Sequence, residues 1–159
     1  MRRVSVDFFW RRADPSLLGD DLDGDDLDSL VPYWFDSEFA PLRAAGIIVG
    51  VEGIGQMIFA LLELADLDVD LLPDDLEPDS PGVLAPDEVT DIASVLAGVD
   101  PEPLVEQFRT ELAEAALERD QRPLDVQGEK SLADDIAALK ALFTSAAAAG
   151  EAVIVTVVV

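Results

Sequence analysis

The most regular hydrophobic pattern lies in the second half of the chain, where apolar residues recur at helical spacing in three segments. These segments predict helices over residues 86–98, 100–119 and 131–150. The third helix is expected to begin at Ser131, where Asp134 completes a sequence similar to a capping box. The first and third segments each end at a glycine, which is typical of a helix C-terminus.

Three shorter segments predict β-strands. Residues 3–10 alternate well enough for a strand, residues 46–51 form a short apolar run, and residues 152–159 are apolar on both faces. The last pattern is typical of an interior strand in a sheet that is covered on both sides. The sequence therefore predicts an α/β (mixed α+β) fold, a single layered domain over residues 1–159 with helices packed on a mixed sheet around a buried C-terminal strand.

The first half of the chain is less regular. Asp14 and Pro15 predict a helix start, with the aspartate as its cap, and residues 53–65 predict a further helix. Residues 19–28 form an acidic loop. Residues 66–81 carry seven acidic residues and three prolines, which is typical of a segment that crosses the surface as a loop.

Composition indicates a folded chain in spite of its charge. The 159 residues include 34 acidic and 10 basic side chains, for a net charge of −24, yet 50% of them are hydrophobic. Disordered acidic chains combine high charge with low hydrophobicity, so this chain should form a core. The sequence has no Cys, His or Asn. Disulfides, thiolate or imidazole metal ligands, Cys nucleophiles and Ser-His-Asp triads are therefore excluded.

The charge also limits the possible partners. A strongly negative protein repels nucleic-acid phosphates and anionic membrane surfaces, so neither a nucleic-acid partner nor a membrane is expected. The negative charge remains consistent with a basic partner protein, with bound cations, or with a role in solubility alone.

Residues 1–12 lack the apolar run of a signal peptide, and residues 44–62 are interrupted by Glu52, Gln56 and several glycines. These features predict a soluble, cytoplasmic protein.

The candidate metal ligands are aspartates of the acidic segment 20–28, namely Asp21, Asp23, Asp25, Asp26 and Asp28. Oxygen-rich loops bind Ca²⁺ or Mg²⁺. An EF-hand loop that starts at Asp21 requires Gly and Glu at places that hold Asp26 and Pro32 here, so the strict motif fails. No cofactor is expected beyond weak Ca²⁺ or Mg²⁺ binding, and a solvated acidic loop is the simpler interpretation.

Two other patterns favour structural roles. Gly46, Gly50, Gly53 and Gly55 lack the order of a phosphate-binding loop, and no Lys-Ser/Thr follows them, so close packing or a turn is expected. A Ser-Lys dyad would need Lys130 or Lys140, and the place of Lys140 beside an apolar helical stripe favours a surface residue.

The aromatic run Tyr33, Trp34 and Phe35, followed by Asp36, is the candidate partner-binding site. Aromatic side chains dominate the energetic hot spots of protein interfaces. The alternative is that the rings pack in the core, as large aromatics commonly do. Core packing is the simpler interpretation of the two.

The second half of the chain resembles the YfbM-like family, known as domain of unknown function 1877. The resemblance lies in residues 84–159, with weaker support from residues 1–35, and its main motifs are Leu84-Ala85-Pro86-Asp87-Glu88-Val89 and Leu142-Phe143-Thr144-Ser145 followed by Gly150-Glu151-Ala152-Val153-Ile154. It implies a compact α/β fold and no established activity. Members often have a His-containing apolar segment soon after a Trp, whereas the segment around Trp34 has no His.

Three hypotheses for function follow from these observations. The first is a non-enzymatic interaction protein whose acidic surface binds a basic partner. The second is a carboxylate-based enzyme, similar to a hydrolase, that depends on a divalent metal. The third is a housekeeping domain whose acidity maintains solubility in salt.

Overall fold

The computed structural model describes residues 6–18, 30–51, 56–74, 76, 81–120 and 124–158. Within this part of the chain the protein has four strands and six helices. The strands are β1 (Asp7–Ala13), β2 (Ile48–Val51), β3 (Gly82–Leu84) and β4 (Ala152–Val158). The helices are α1 (Phe39–Ala44), α2 (Gln56–Leu64), α3 (Pro86–Ala97), α4 (Pro101–Gln107), α5 (Arg109–Asp120) and α6 (Val126–Ala149).

The four strands form one sheet in the order β2-β1-β4-β3, and every neighbouring pair is antiparallel. The predicted α+β class is confirmed, although the sheet is antiparallel throughout rather than mixed. β4 lies in the interior of the sheet, where it pairs with β1 from Asp7↔Val158 to Ala13↔Ala152. β2 and β3 are the two edges.

The helices α2–α6 cover one face of the sheet and build the larger core. α6 is the longest helix, and it packs against α3 and α4 as well as against the sheet. Its apolar stripe includes Leu132, Ile136 and Phe143, which lie against sheet residues such as Trp10 and Val155. The Trp10 indole Nε1 donates a hydrogen bond of 2.9 Å to the carbonyl oxygen of Leu71, so its one polar group is satisfied.

The predicted helices exist, but two of their boundaries were wrong. The long helix begins at Val126 instead of Ser131, because the Asp125 side chain accepts a 2.7 Å hydrogen bond from the Gly128 amide and caps the earlier start. The segment 100–119 is not one helix, since it divides at Phe108 into α4 and α5. The helix predicted over residues 86–98 is confirmed as α3, with Gly98 at its C-terminus.

In the first half, the strand predicted over 46–51 and the helix predicted over 53–65 are confirmed as β2 and α2. The Asp14 cap is also confirmed, because its carboxylate accepts a 2.9 Å hydrogen bond from the Ser16 amide. That hydrogen bond lowers the pKa of Asp14. The capped segment is a single 3₁₀ turn. β1 extends to Ala13, beyond the predicted end at residue 10, while α1 and β3 were not predicted.

Candidate partner-binding surface

The second face of the sheet has its own small core, which is rich in aromatic rings. It is covered by the segment 30–45 and contains Phe9, Val31, Phe39, Ile48 and Ile154 as buried residues. Trp34 packs against this cluster, and its ring centroid lies 5.0 Å from those of Phe9 and Phe39. These separations are typical of favourable tilted and edge-on aromatic pairs.

Trp34 is held in place by one polar contact and by a glycine. Its indole Nε1 donates a 3.1 Å hydrogen bond to Oδ2 of Asp7. Its six-membered ring lies against Gly50 so closely that a Cβ at that position would come within 2.6 Å of it. The prediction of close packing is therefore confirmed for Gly50. The predicted turn is confirmed for Gly46, whose φ is +73°, while Gly53 and Gly55 lie outside the described residues.

Residues 33–36 form a tight turn closed by two hydrogen bonds. The Asp36 amide donates to the Tyr33 carbonyl oxygen at 3.0 Å, and the Tyr33 amide donates to Asp36 Oδ2 at 2.8 Å. Phe35 lies at the tip of this turn and is 99% exposed, whereas Tyr33 is 36% exposed and packs at 5.8 Å from Phe9. The predicted aromatic site thus divides: Trp34 belongs to the core, Tyr33 lies at its boundary, and Phe35 projects away from it.

Charged side chains lie around this turn. Asp36 and Glu38 are exposed. The Arg11 guanidinium, part-buried beside them, donates through Nη1 to the carbonyl oxygen of Leu30. Burial lowers the pKa of Arg11, and the charge of Glu38 partly opposes this shift. Arg11 Nε is buried and has no hydrogen-bond partner in the described part of the chain.

A groove that the sequence did not indicate lies between the edge strand β2 and α6. It has two connected parts of about 280 Å³ and about 220 Å³, which share Arg43, Gly50 and Asp135. Asp134 and Arg12 also line the larger part. Periodicity predicted both the strand and the helix, but it gives no information on which strand is an edge or which helix lies beside it.

The two arginines of this groove differ in their partners. Arg12 pairs with Glu151 through two hydrogen bonds of 2.7 Å and 3.3 Å, so its charge is compensated within the chain. Arg43 is exposed, and its side chain forms no hydrogen bond or ion pair with any other residue that the structure describes. Lys140, one of the two candidate lysines for a Ser-Lys dyad, donates a 2.8 Å hydrogen bond to the Val99 carbonyl oxygen and so has a structural contact.

The metal hypothesis stays a prediction. Its candidate ligands Asp21, Asp23, Asp25, Asp26 and Asp28 all lie outside the described residues. Among the residues that are described, no group of three or more acidic side chains is arranged to hold a metal ion.

No helix in the described part of the chain is both long and apolar enough to cross a membrane.

The arrangement of helices on one face of an antiparallel sheet defines an α+β domain with a separate aromatic surface on its other face. Residues 59–156, more than half of the chain, match the family described as domain of unknown function (DUF1877), and the protein belongs to this family. The resemblance stated from residues 84–159 is thereby confirmed. No curated protein and no solved structure matches the chain.

Proposed function

We propose that this protein is a non-enzymatic interaction protein that binds a basic partner protein through the turn at residues 33–36. The observation that carries the proposal is the position of Phe35, a large apolar side chain that is 99% exposed at the tip of a hydrogen-bonded turn. When a partner covers an apolar ring in this position, removal of the ring from water stabilises the complex.

The turn is suited to binding because it is already ordered. Its two internal hydrogen bonds and the packing of Trp34 beneath it fix the backbone, so a partner does not have to order it. Two exposed acidic residues follow Phe35 in the chain, Asp36 directly after it and Glu38 two residues further on. An apolar anchor within an acidic surface favours a partner with an apolar pocket bordered by Lys or Arg.

The net charge of −24 supports the same type of partner. Its long-range field accelerates the association of basic proteins and opposes that of acidic ones. Such attraction is screened by salt, so binding should weaken as ionic strength rises. Anchoring by Phe35 should be much less sensitive to salt, which allows the two contributions to be measured separately.

The test compares Phe35→Ala with a matched control, Leu117→Ala, which removes another exposed apolar side chain (52% exposed) from the surface of α5. Immobilised wild-type protein captures candidates from a source-cell extract, and the most enriched basic protein is then purified. Its Kd is measured for all three proteins at two salt concentrations. We expect Phe35→Ala to raise the Kd at least about tenfold and Leu117→Ala to leave it unchanged.

Two outcomes would contradict the proposal. Equal Kd values for wild type and Phe35→Ala would remove the turn from the interface. Binding that does not weaken with added salt would show that the acidic surface does not attract the partner.

A further inference from the structure

We infer that the segment 30–45, which we call the strap, opens from the sheet as a unit while the helical face stays folded. The strap covers the aromatic face and carries the turn at residues 33–36. Opening therefore removes the exposed turn without unfolding the molecule, which makes the strap a conformational switch. The inference does not depend on the proposed function, because it concerns how the turn is held and not what the turn binds.

The strap is held to the sheet by a small amount of buried apolar surface. Of the hydrophobic residues that are buried in the aromatic cluster, the strap contributes Val31 and Phe39. By comparison, α6 alone buries seven residues on the helical face. Most of the strap is exposed, and its helix α1 has six residues and no side-chain cap. Segments with few buried apolar contacts open at a lower free energy than the rest of a molecule.

Side-chain hydrogen bonds connect the strap to β1, and one of them comes from a part-buried cation. Trp34 Nε1 donates to Asp7 Oδ2 at 3.1 Å, and Arg11 Nη1 donates to the carbonyl oxygen of Leu30. Arg11 Nε is also buried, but the described residues offer it no acceptor. Burial lowers the pKa of Arg11, so the closed strap disfavours the charge of the side chain that it covers.

A second buried polar group lies on the same face of the sheet. Thr156 is paired with Phe9 across the β1–β4 ladder, so their side chains share a face, and the Phe9 ring contacts Tyr33 and Trp34 of the strap. The Thr156 hydroxyl is fully buried and has no hydrogen-bond partner among the described residues. When the strap opens, water reaches this hydroxyl and Arg11 Nε, and each gains the hydrogen bond that it lacks in the closed state. Both groups therefore lower the free energy of opening.

The helical face does not require the strap. β1 pairs with β4 from Asp7 to Ala13 and with β2 over four residues, and α2–α6 pack on the opposite side of this sheet. These contacts persist when the strap lifts. The open state is thus a partly unfolded form with an intact larger core, in which Trp34 has left Gly50 and the turn has lost its support.

The chain has no cysteine, so a single introduced thiol can report the opening. Ile154 and Val155 are adjacent in β4 and fully buried, but they belong to the aromatic and the helical cluster respectively. Labelling of Ile154→Cys and of Val155→Cys by a neutral dithiodipyridine reagent is measured in the full chain, and each rate is divided by that of the same variant unfolded in urea. We expect Ile154→Cys to be labelled at least about tenfold faster, because its thiol is reached through strap opening and the other only through global unfolding.

Further substitutions in the Ile154→Cys background connect this labelling to the strap. Gly50→Ala, which displaces the Trp34 ring, should speed labelling at least about fivefold. Thr156→Val, which removes the buried hydroxyl, should slow it about fivefold. Phe35→Ala is the control and should leave the rate unchanged, since its ring is 99% exposed.

Three outcomes would overturn the inference. Equal corrected rates for the two thiols would show that both are reached by global unfolding. Fast labelling of Ile154→Cys that does not respond to Gly50→Ala would show that a different segment opens. No response to Thr156→Val would show that the strap frays at its surface without exposing the sheet.

Hydrogen exchange of the unmodified protein gives the same comparison if a cysteine variant fails to fold. The Ile47 amide donates to the Leu42 carbonyl oxygen at 2.9 Å and loses this partner when the strap lifts, whereas Ile136 is buried in α6. We expect the protection factor of Ile47 to be at least about tenfold lower than that of Ile136 and to depend less on urea. Equal protection of the two amides would contradict the inference in the same way as equal labelling rates.

Discussion

The two faces of the sheet are covered in different ways. On the helical face, α2–α6 bury aliphatic and aromatic side chains in a conventional core, and the polar group of Trp10 has a partner. The other face is covered by the segment 30–45 and contains Arg11 and Thr156, each with a buried polar atom that has no hydrogen-bond partner among the residues that the structure describes. A buried polar group without a partner costs free energy.

The two faces of the sheet therefore differ in how closely they follow the rules of core packing. The helical face follows the ordinary rules of core formation and provides most of the buried apolar surface. The aromatic face departs from those rules directly beneath the exposed turn, since Thr156 lies opposite Phe9, whose ring contacts Tyr33 and Trp34. Departures of this kind tend to occur at functional sites, where stability is not the only requirement.

The largest effect is expected on the helical face, from Phe143→Ala. Phe143 is fully buried in α6, and its truncation leaves a cavity that the surrounding helices cannot fill, so the free energy of unfolding should fall by about 3–5 kcal/mol. Urea unfolding followed by circular dichroism measures the change. Leu117→Ala on α5 is the control and should change stability by less than about 0.5 kcal/mol. A small loss at Phe143 would show that the helical face is loosely packed.

On the aromatic face, Gly50→Ala should cost about 1–3 kcal/mol, because the new methyl group would overlap the Trp34 ring. In a Trp10→Phe background, Trp34 fluorescence should also shift to longer wavelength as the ring is displaced toward water. Gly98→Ala is the matched control, since the nearest atom to its added Cβ lies 3.8 Å away. If both alanine variants keep wild-type stability, Trp34 is free to move and the turn is not rigidly supported.

Thr156→Val should stabilise the protein by about 1 kcal/mol. The substitution replaces a fully buried hydroxyl, for which the described residues offer no partner, with a methyl group of similar size, and so removes a desolvation cost. Thermal and urea unfolding measure the gain. Thr90→Val is the control and should give no gain, because the Thr90 hydroxyl is exposed and donates to the Pro86 carbonyl oxygen at 2.9 Å. Loss of stability in Thr156→Val would mean that the hydroxyl is satisfied in solution.

The smallest effect is expected at Phe35. Its side chain contributes almost nothing to the aromatic core, so Phe35→Ala should change the free energy of unfolding by less than about 0.5 kcal/mol. This result is needed for the binding experiments, since it separates loss of an anchor from loss of the fold. A larger change would place Phe35 in the core in solution and remove the main support for the proposed function.

The elements of the helical face were predictable because their residues repeat with the period of the structure that they form. The stripe of α3 and the apolar run of β4, in which Thr156 is the one polar residue, identified both elements and their burial. The start of α6 was missed because Asp125 outcompetes Ser131 as a cap, although Gly128 in the first turn is a poor helix former. The division at Phe108 leaves no signal in the stripe, which continues across it.

The aromatic face was less predictable because its order depends on contacts between distant segments. The run at residues 33–36 identified aromatic side chains that could bind a partner, but not that Trp34 would lie in a space left by Gly50 while Phe35 pointed outward. α1 is too short to show a periodic stripe, and β3 has three residues. The groove was missed because strand order is a property of the sheet and not of any one segment.

The position of β4 has a consequence for the synthesis of the protein. β4 follows every other described element in the chain, yet it joins β1 to β3 in the middle of the sheet. While the ribosome extends the chain, β1 can pair with β2, but β3 has no neighbouring strand until β4 emerges. The pairing that completes the sheet closes a loop of nearly the whole chain, which is slow. Apolar strand surface therefore stays open to chaperones until β4 is available to pair with β1 and β3.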